Sequence, residues 1–286
     1  MRFGVTIFAT DQSIDIAELA RAVEERGFDS LWVPEHTHIP TSRLTPPPTG
    51  DSELSEEYRR TLDPWVALAT AAAVTSRLRI GTGISVLAQH DVIATAKAAA
   101  TLDHVSRGRA VYGVGFGWNR DEIEAHGVDF TARRAIVEDK VAAMRSLWAD
   151  EVSSHHGPHV QIEPSWQWPK PVQRRATGET YVPVLLGGGT GPRLWEHLIR
   201  WADGWIPIGG AGLTSAIPRL HDDLAAADRD PTAFEIVPFG SWPDQGKVEH
   251  FGSIGVTETV FRLPSAGRDA TLAELDAQAT LIARLG

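Results

Sequence analysis

VPVLLGGGTGPRLWEHLIRWADGWIPI, residues 182–208, carries a complete fold unit in twenty-seven residues. The run 182–186 is short and apolar, as a strand buried on both faces must be. A glycine-rich turn follows, then a helical stretch from about 191 to 201. A second apolar run at 205–208 closes the unit. Strand, crossover helix and strand in this order imply parallel pairing and a right-handed connection.

The same unit recurs in both directions along the chain. Before it come strands at 3–8, 30–33, 78–85 and 110–114. Ile16, Leu19, Ala20 and Val23 recur at helical spacing between the first two strands, and Gly27 stops that helix. Asp63-Pro64 supplies an N-cap followed by proline at the first helical position, and Asp91 caps the next helix, to about 106. A helix near 131–148 turns Val137, Val141, Met144 and Trp148 inward. After residue 208 the pattern continues with a helix at 214–227, a strand at 234–239 and a short helix at 245–251. A strand at 256–261 and a last helix bearing Leu272, Leu275, Ala279 and Ile282 on one face complete it. About eight β–α units over residues 1–286, with no intervening linker, predict a single-domain α/β protein, a (β/α)₈ TIM barrel. Two long insertions break the rhythm. Residues 34–62 follow the second strand, with Pro46-Pro47-Pro48 and a charged run from Asp51 to Arg60, and residues 155–175 precede the fifth. Loops of that length are usually functional, and both are expected near the carboxyl ends of the strands.

Composition narrows the function classes. The 286 residues carry 27 Lys and Arg against 37 Asp and Glu, a net charge of −10. That balance argues against a nucleic-acid partner or an anionic membrane surface. Cysteine is absent, so disulfides, thiolate metal sites and cysteine nucleophiles are excluded. Neither a signal-peptide pattern nor an apolar run of about 18 residues is found, and a cytoplasmic protein is expected.

In a barrel the chemistry sits on the loops that follow the strands. Here those loops hold Pro34 to His38, Gly81 to Ser85, Gly113 to Asn119, Gly187 to Gly191 and Gly209-Gly210. Glycine at a strand end lets backbone N–H groups approach a ligand, although it also caps strands that bind nothing. Gly187 to Gly191 leads into a helix N-terminus, which favours a phosphate.

The motifs LWVPEH (31–36), LRIGTG (78–83), ATLDHVSRGR (100–109), GVGFGWNRDE (113–122) and ADGW (202–205), in this order, resemble the luciferase-like monooxygenases. Within that superfamily the chain is most similar to the actinobacterial oxidoreductases that use the deazaflavin coenzyme F420. The resemblance implies a (β/α)₈ barrel and a homodimer. It also implies a non-prolyl cis peptide at Gly83-Ile84, forming a bulge behind the deazaflavin ring. The phosphate loop falls on Gly187, Gly188, Gly189 and Thr190, and Phe116, Gly117 and Trp118 fall along the ring. The histidine that is catalytic in the family's sugar-phosphate dehydrogenases falls on His36. Those enzymes carry an acid directly after the glycine turn that follows the fourth strand. Trp118 stands there in this chain and cannot move protons, which puts a mechanism of that kind in question.

The individual residues admit plainer readings too. His36 is either a proton partner near the ring or a loop histidine bonded to backbone. Glu35 is a cofactor acceptor or a strand-end charge. His155, His156, His159 and Glu163 lack the helical spacing that fixes a metal, and no metal site is expected. Asp103, Arg107 and Arg109 read as structural, and Thr10, Asp11 and Gln12 as a solvated turn. Trp148 and Trp195 read as helix packing. Trp118, Trp166, Trp168 and Trp242 read as aromatic walls for a flat ring or apolar substrate. The expected activity is therefore F420-dependent hydride transfer to or from a small organic substrate. The alternatives are an FMN-dependent monooxygenase and a non-catalytic flavin- or deazaflavin-binding protein; no lysine at a strand end supports Schiff-base chemistry.

Overall fold

The computed structural model describes residues 1–41, 44–46 and 53–285; Pro47, Pro48 and Asp51 of the first insertion lie outside them. The first half runs β1 (Arg2–Thr6), α1 (Ile16–Glu25), β2 (Ser30–Val33), α2 (Pro64–Ala73), β3 (Arg79–Thr82), α3 (Val92–Ser106), β4 (Ala110–Val114), α4 (Arg120–Ala125) and α5 (Arg133–Ala149). A polar pair, β5 (Ser153–His156) and β6 (Gln161–Ser165), comes next. The second half runs β7 (Val184–Gly187), α6 (Pro192–Arg200), β8 (Gly204–Ile206), α7 (Leu213–Ala226), β9 (Glu235–Ile236), β10 (Phe239–Ser241), α8 (Gln245–Ser253), β11 (Glu258–Arg262) and α9 (Arg268–Leu285). Asp15, Asp63 and Asp91 cap α1, α2 and α3 by accepting from backbone N–H groups of their first turns. None of the described helices is long and apolar enough to cross a membrane.

Nine strands form one parallel sheet in the order β10-β11-β1-β2-β3-β4-β7-β8-β9. Its two ends are consecutive pieces of one segment. Val237 N bonds Trp205 O and Phe239 N bonds Pro207 O on one side, while Val260 N bonds Pro238 O on the other. The sheet therefore curls until β8 and β11 flank the same stretch of chain. Inside the curl, Trp32, Val111, Leu185, Ile206, Val237, Phe239 and Val260 form a compact core, with Ile84 packed on it. A larger core fills the space between sheet and helices.

Several strand glycines owe their place to that inner core. A Cβ on Gly81 would stand 2.3 Å from the Trp32 ring, and one on Gly113 2.0 Å from the Thr82 carbonyl oxygen. These glycines make room for neighbours, so the ligand-approach reading of Gly81 and Gly113 is corrected to a packing one. At the amino-terminal rim, Glu258 is fully buried and meets Arg79 Nη1 at 2.9 Å, Arg2, Ser30 and the Trp32 indole. Burial alone would raise its carboxyl, but Arg79 and Arg2 hold it below the usual range.

The second insertion departs from expectation. Residues 153–165 form an antiparallel hairpin, and the chain beyond it runs along α3 and α5 to the foot of β4. There Val172 N and Gln173 Nε2 donate to Asp103 at 2.6 Å each. The segment is thus fastened at the end opposite to the strand carboxyl termini, and Trp166 and Trp168 point to solvent. Arg109 donates to Leu78 O and Ala72 O, in keeping with its structural reading. His155 Nε2 lies 2.7 Å from Asp139 Oδ1, which joins the hairpin to α5.

Helix α6 carries a pH-sensitive residue. His197 is buried, accepts from Trp201 Nε1 at 3.1 Å, and has its pKa lowered from 6.5 to about 4 by burial and by Arg200 and Arg134. A depressed folded value means that the unfolded chain binds the proton more readily. Stability from this group is complete above pH 6.5 and is lost as pH falls toward about 4. Melting temperatures from pH 7 to 4.5 are expected to decline in the wild type, by at most roughly 3 kcal/mol of stability, and to stay flatter in His197→Gln. Parallel curves would remove His197 as the cause.

Candidate functional site

A cavity of about 870 Å³ opens where the strands of the curled sheet end. The turn after β2 contributes Pro34, Glu35 and His36. Gly83, Ile84 and Val86 follow β3, and Gly115 to Asn119 follow β4. Gly187 to Gly191 follows β7 and runs into α6, whose first turn adds Pro192 and Arg193. Glu35, His36, Gly83, Ile84, Phe116, Gly117, Trp118, Gly187, Gly188, Gly189 and Thr190, each singled out in the sequence, all line this one space.

His36 occupies its aromatic side. The ring centroid lies 5.2 Å from that of Tyr58 and 6.0 Å from that of Trp118. His36 Nδ1 stands 2.8 Å from Glu122 Oε2, and both side chains are almost wholly buried. The His36 carbonyl accepts from Thr61 Oγ1, which ties the far end of the first insertion back to the site. Nearby, Asn119 is buried, and neither of its side-chain polar atoms nor Glu122 Oε1 has a partner among the described residues.

The other chemical character of the cavity is cationic. Arg133 and Arg134 enter from the start of α5 and Arg193 from the start of α6. Among the described residues none of the three has a carboxylate at ion-pair distance. Burial and the neighbouring guanidinium Arg193 depress Arg134, and burial, then Arg134, Arg120 and Arg193, depress Arg133. Arg134 lies over the Phe116 ring at 4.4 Å with its buried Nη1 unpaired. Beside these cations, Gly189 and Gly191 leave open space where side chains would otherwise stand. Gly188 adopts φ +150°, a conformation disfavoured for other residues. The α6 N-terminus, open glycines and guanidinium groups without a carboxylate partner among the described residues together suit a phosphate or carboxylates.

Between these two regions the chain turns sharply after β3, with a cis Gly83-Ile84 peptide. The Ile84 side chain fills space that a Cβ on Gly115 or Gly187 would invade, at 2.3 and 2.8 Å. Glu35 fastens this turn. Its N–H donates to Ile84 O, its Oε2 accepts from Val86 N at 2.8 Å, and Oε1 stands 2.5 Å from His90 Nε2. Burial would raise the Glu35 carboxyl, yet His90, Ser85 and the Val86 N–H together hold it below the usual range. Its carboxylate thus serves the protein's own backbone.

Other expected residues lie elsewhere. Trp242 is exposed, and Gly209 and Gly210 do not line the cavity; Thr10, Asp11 and Gln12, read as a turn, do not line it either. Sequence reasoning placed Asn119 in the loop after the fourth strand without a role, and passed over Arg133, Arg134, Arg193, Tyr58 and Glu122 as site residues. One signal was available: two arginines open α5, the helix end at which cations are electrostatically unfavourable.

A family model described as luciferase-like monooxygenase matches residues 1–241. An uncharacterized protein of Mycobacterium tuberculosis is 41% identical over 286 residues, covering 99% of each chain. The phthiodiolone/phenolphthiodiolone dimycocerosates ketoreductase of the same species is 31% identical over 214 residues, 72% of this chain and 54% of the relative. Among solved structures, the monooxygenase RslO1 of Streptomyces bottropensis superposes with a TM-score of 0.79 at 20% identity, covering 99% of this chain and 98% of that one. An F420-dependent secondary alcohol dehydrogenase, in complex with an F420–acetone adduct, superposes with a TM-score of 0.76 at 18% identity over the full length of both chains. At such identities the likeness speaks for the fold.

Proposed function

The chain belongs to the luciferase-like monooxygenase family, and within it we propose a coenzyme F420-dependent oxidoreductase acting on a small organic substrate, built as one closed (β/α)₈ barrel over residues 1–286. The observation that carries this reading is the joining of a glycine cradle and three arginines, none with a carboxylate partner among the described residues, to an aromatic, histidine-bearing wall in one cavity. The deazaflavin's phosphodiester and chain of carboxylates carry more negative charge than the single phosphate of FMN, and three guanidinium groups exceed what FMN needs. Arg133, Arg134 and Arg193, with Gly187, Gly188, Gly189 and Thr190, would hold the anionic tail. Phe116, Gly117 and Trp118 would border the ring, with Ile84 behind it and Glu35 fixing the Ile84 turn. Bound there, the coenzyme supplies hydride chemistry at C5. The protein's part is to orient the substrate, exclude water and exchange a proton at His36. We propose also that the molecule is a homodimer, a second copy covering Val66, Ile93 and Val105, which the adjoining helices α2 and α3 leave exposed.

Titrating the protein with F420 and with FMN, followed by intrinsic tryptophan fluorescence, tests the reading. A saturable response to F420 and a weak one to FMN are expected. Tight FMN binding without response to F420 overturns it in favour of a flavin monooxygenase. Arg134→Glu is expected to weaken F420 binding about tenfold or more, by inverting charge beside the tail. An unchanged Kd would remove Arg134 from the site.

A further inference from the structure

We infer that Glu122 is the positioning residue for His36, and that it fixes the imidazole hydrogen on Nδ1. The inference rests on the catalytic reading of His36 given above. A carboxylate oxygen only accepts, so at 2.8 Å from Oε2 the Nδ1 atom is the donor. Nε2 takes no bond from any other described residue and is left as the nitrogen that gives or receives the substrate's proton. The geometry is closely held. Glu122 sits in the first turn of α4, the Tyr58 and Trp118 rings flank the imidazole, and Thr61 pins its backbone. These are the groups that face the ring from each neighbouring segment.

A plainer role for Glu122 is to place negative charge at the α4 N-terminus. Asp121 and the exposed side of that turn already provide this, and the dipole does not require a buried carboxylate. A second set of atoms points the same way. Glu122 Oε1 and both polar atoms of Asn119 are buried beside the cavity without partners among the described residues. Leaving a buried polar group unpaired is unfavourable. Their place on the wall of His36 fits a bound molecule whose hydroxyl or carbonyl group completes them. The acid of this site thus stands four residues beyond Trp118, on a helix, and works through the histidine.

Nitrogen-15 spectra of the His36 ring in the coenzyme-free protein, assigned with His36→Gln, test the inference. The wild type is expected to carry its hydrogen on Nδ1. Glu122→Leu, which removes every acceptor, is expected to lose that tautomer and to lower turnover at least 30-fold with coenzyme Kd changed less than threefold. Glu122→Gln, whose amide oxygen can still accept, is expected to restore the tautomer and part of the turnover. A wild-type ring protonated on Nε2 alone overturns the inference, and so does an unchanged tautomer in Glu122→Leu. If the leucine variant does not fold, the wild-type spectrum decides by itself. Because these spectra need no coenzyme, they decide the tautomer even if the F420 reading fails. Full activity of His36→Ala beside a Glu122-dependent tautomer would instead sink only the catalytic reading.

Discussion

Replacing Gly188 with valine is expected to abolish coenzyme binding, leaving no saturable fluorescence change at any attainable F420 concentration. Gly188 holds φ +150°, and a Cβ there would lie 2.8 Å from Leu194 Cδ1. Its backbone cannot rotate away freely, because Trp205 Nε1 donates to Gly188 O at 2.8 Å and Gly188 N donates to Ile206 O at 3.1 Å. A β-branched residue must break one of these restraints or displace Leu194, the first-turn residue of α6. Either response moves the N–H groups that the cradle offers to an anion. The penalty to folding should be on the order of 1–3 kcal/mol, so the variant remains measurable by calorimetry. Gly189→Ala is the control: no atom lies within 4 Å of its added methyl, and the fold should melt as the wild type does. Unchanged affinity in Gly188→Val would move the phosphate site out of this loop. The Gly209-Gly210 turn, the next candidate by sequence, lies off the cavity lining, so Arg133 and Arg134 would then have to hold the tail from α5.

The strand–helix alternation was legible because these parallel strands are buried on both faces. Residues 30–33 and 184–186 are all buried, and such strands read as nearly uninterrupted apolar runs. The hairpin was not legible for the complementary reason. Ser153–His156 and Gln161–Ser165 are polar strands with only Ser153 and Ile162 buried, so neither apolar period stands out. The apolar run from Leu78 continues past Thr82 while the strand does not. What bends it is Glu35, whose carboxylate takes the Val86 N–H from 51 positions away. Local sequence cannot carry such a partner.

The site divides along the same line. The glycines and His36 could be placed at the cavity from the sequence because residue type and place after a strand already narrow their position. Glu122 reads locally as a solvated acid in a helix's first turn, and its meaning comes from His36, 86 positions earlier. The arginines read as helix surface until α5 and α6 bring their first turns to one cavity. Some glycines also serve the protein's own packing, since Gly115 and Gly187 make room for the Ile84 side chain. A glycine after a strand signals close approach. The approaching group is identified only by the fold.

His36→Ala is expected to lower turnover by about 10²–10⁴, the usual worth of a positioned general acid or base, while coenzyme affinity stays within a few-fold. The split follows from the contacts. His36 touches Glu122, Tyr58, Trp118 and Thr61, and none of its bonds reaches Gly187 to Gly191 or the three arginines. The anionic tail, which dominates affinity in this reading, is therefore left alone. Truncation also strands Glu122 as a buried carboxylate with no partner, so some stability is lost as well. His36→Asn separates the two effects, because its amide can still donate to Glu122 Oε2 without titrating near neutral pH. If proton transfer is the role, the asparagine variant regains stability and stays slow. If His36 only fills space and satisfies Glu122, the asparagine variant regains both. Alanine with wild-type turnover would return His36 to a structural histidine, and the proton would then have to be exchanged with another group on the cavity wall, Tyr58 being the nearest titratable ring.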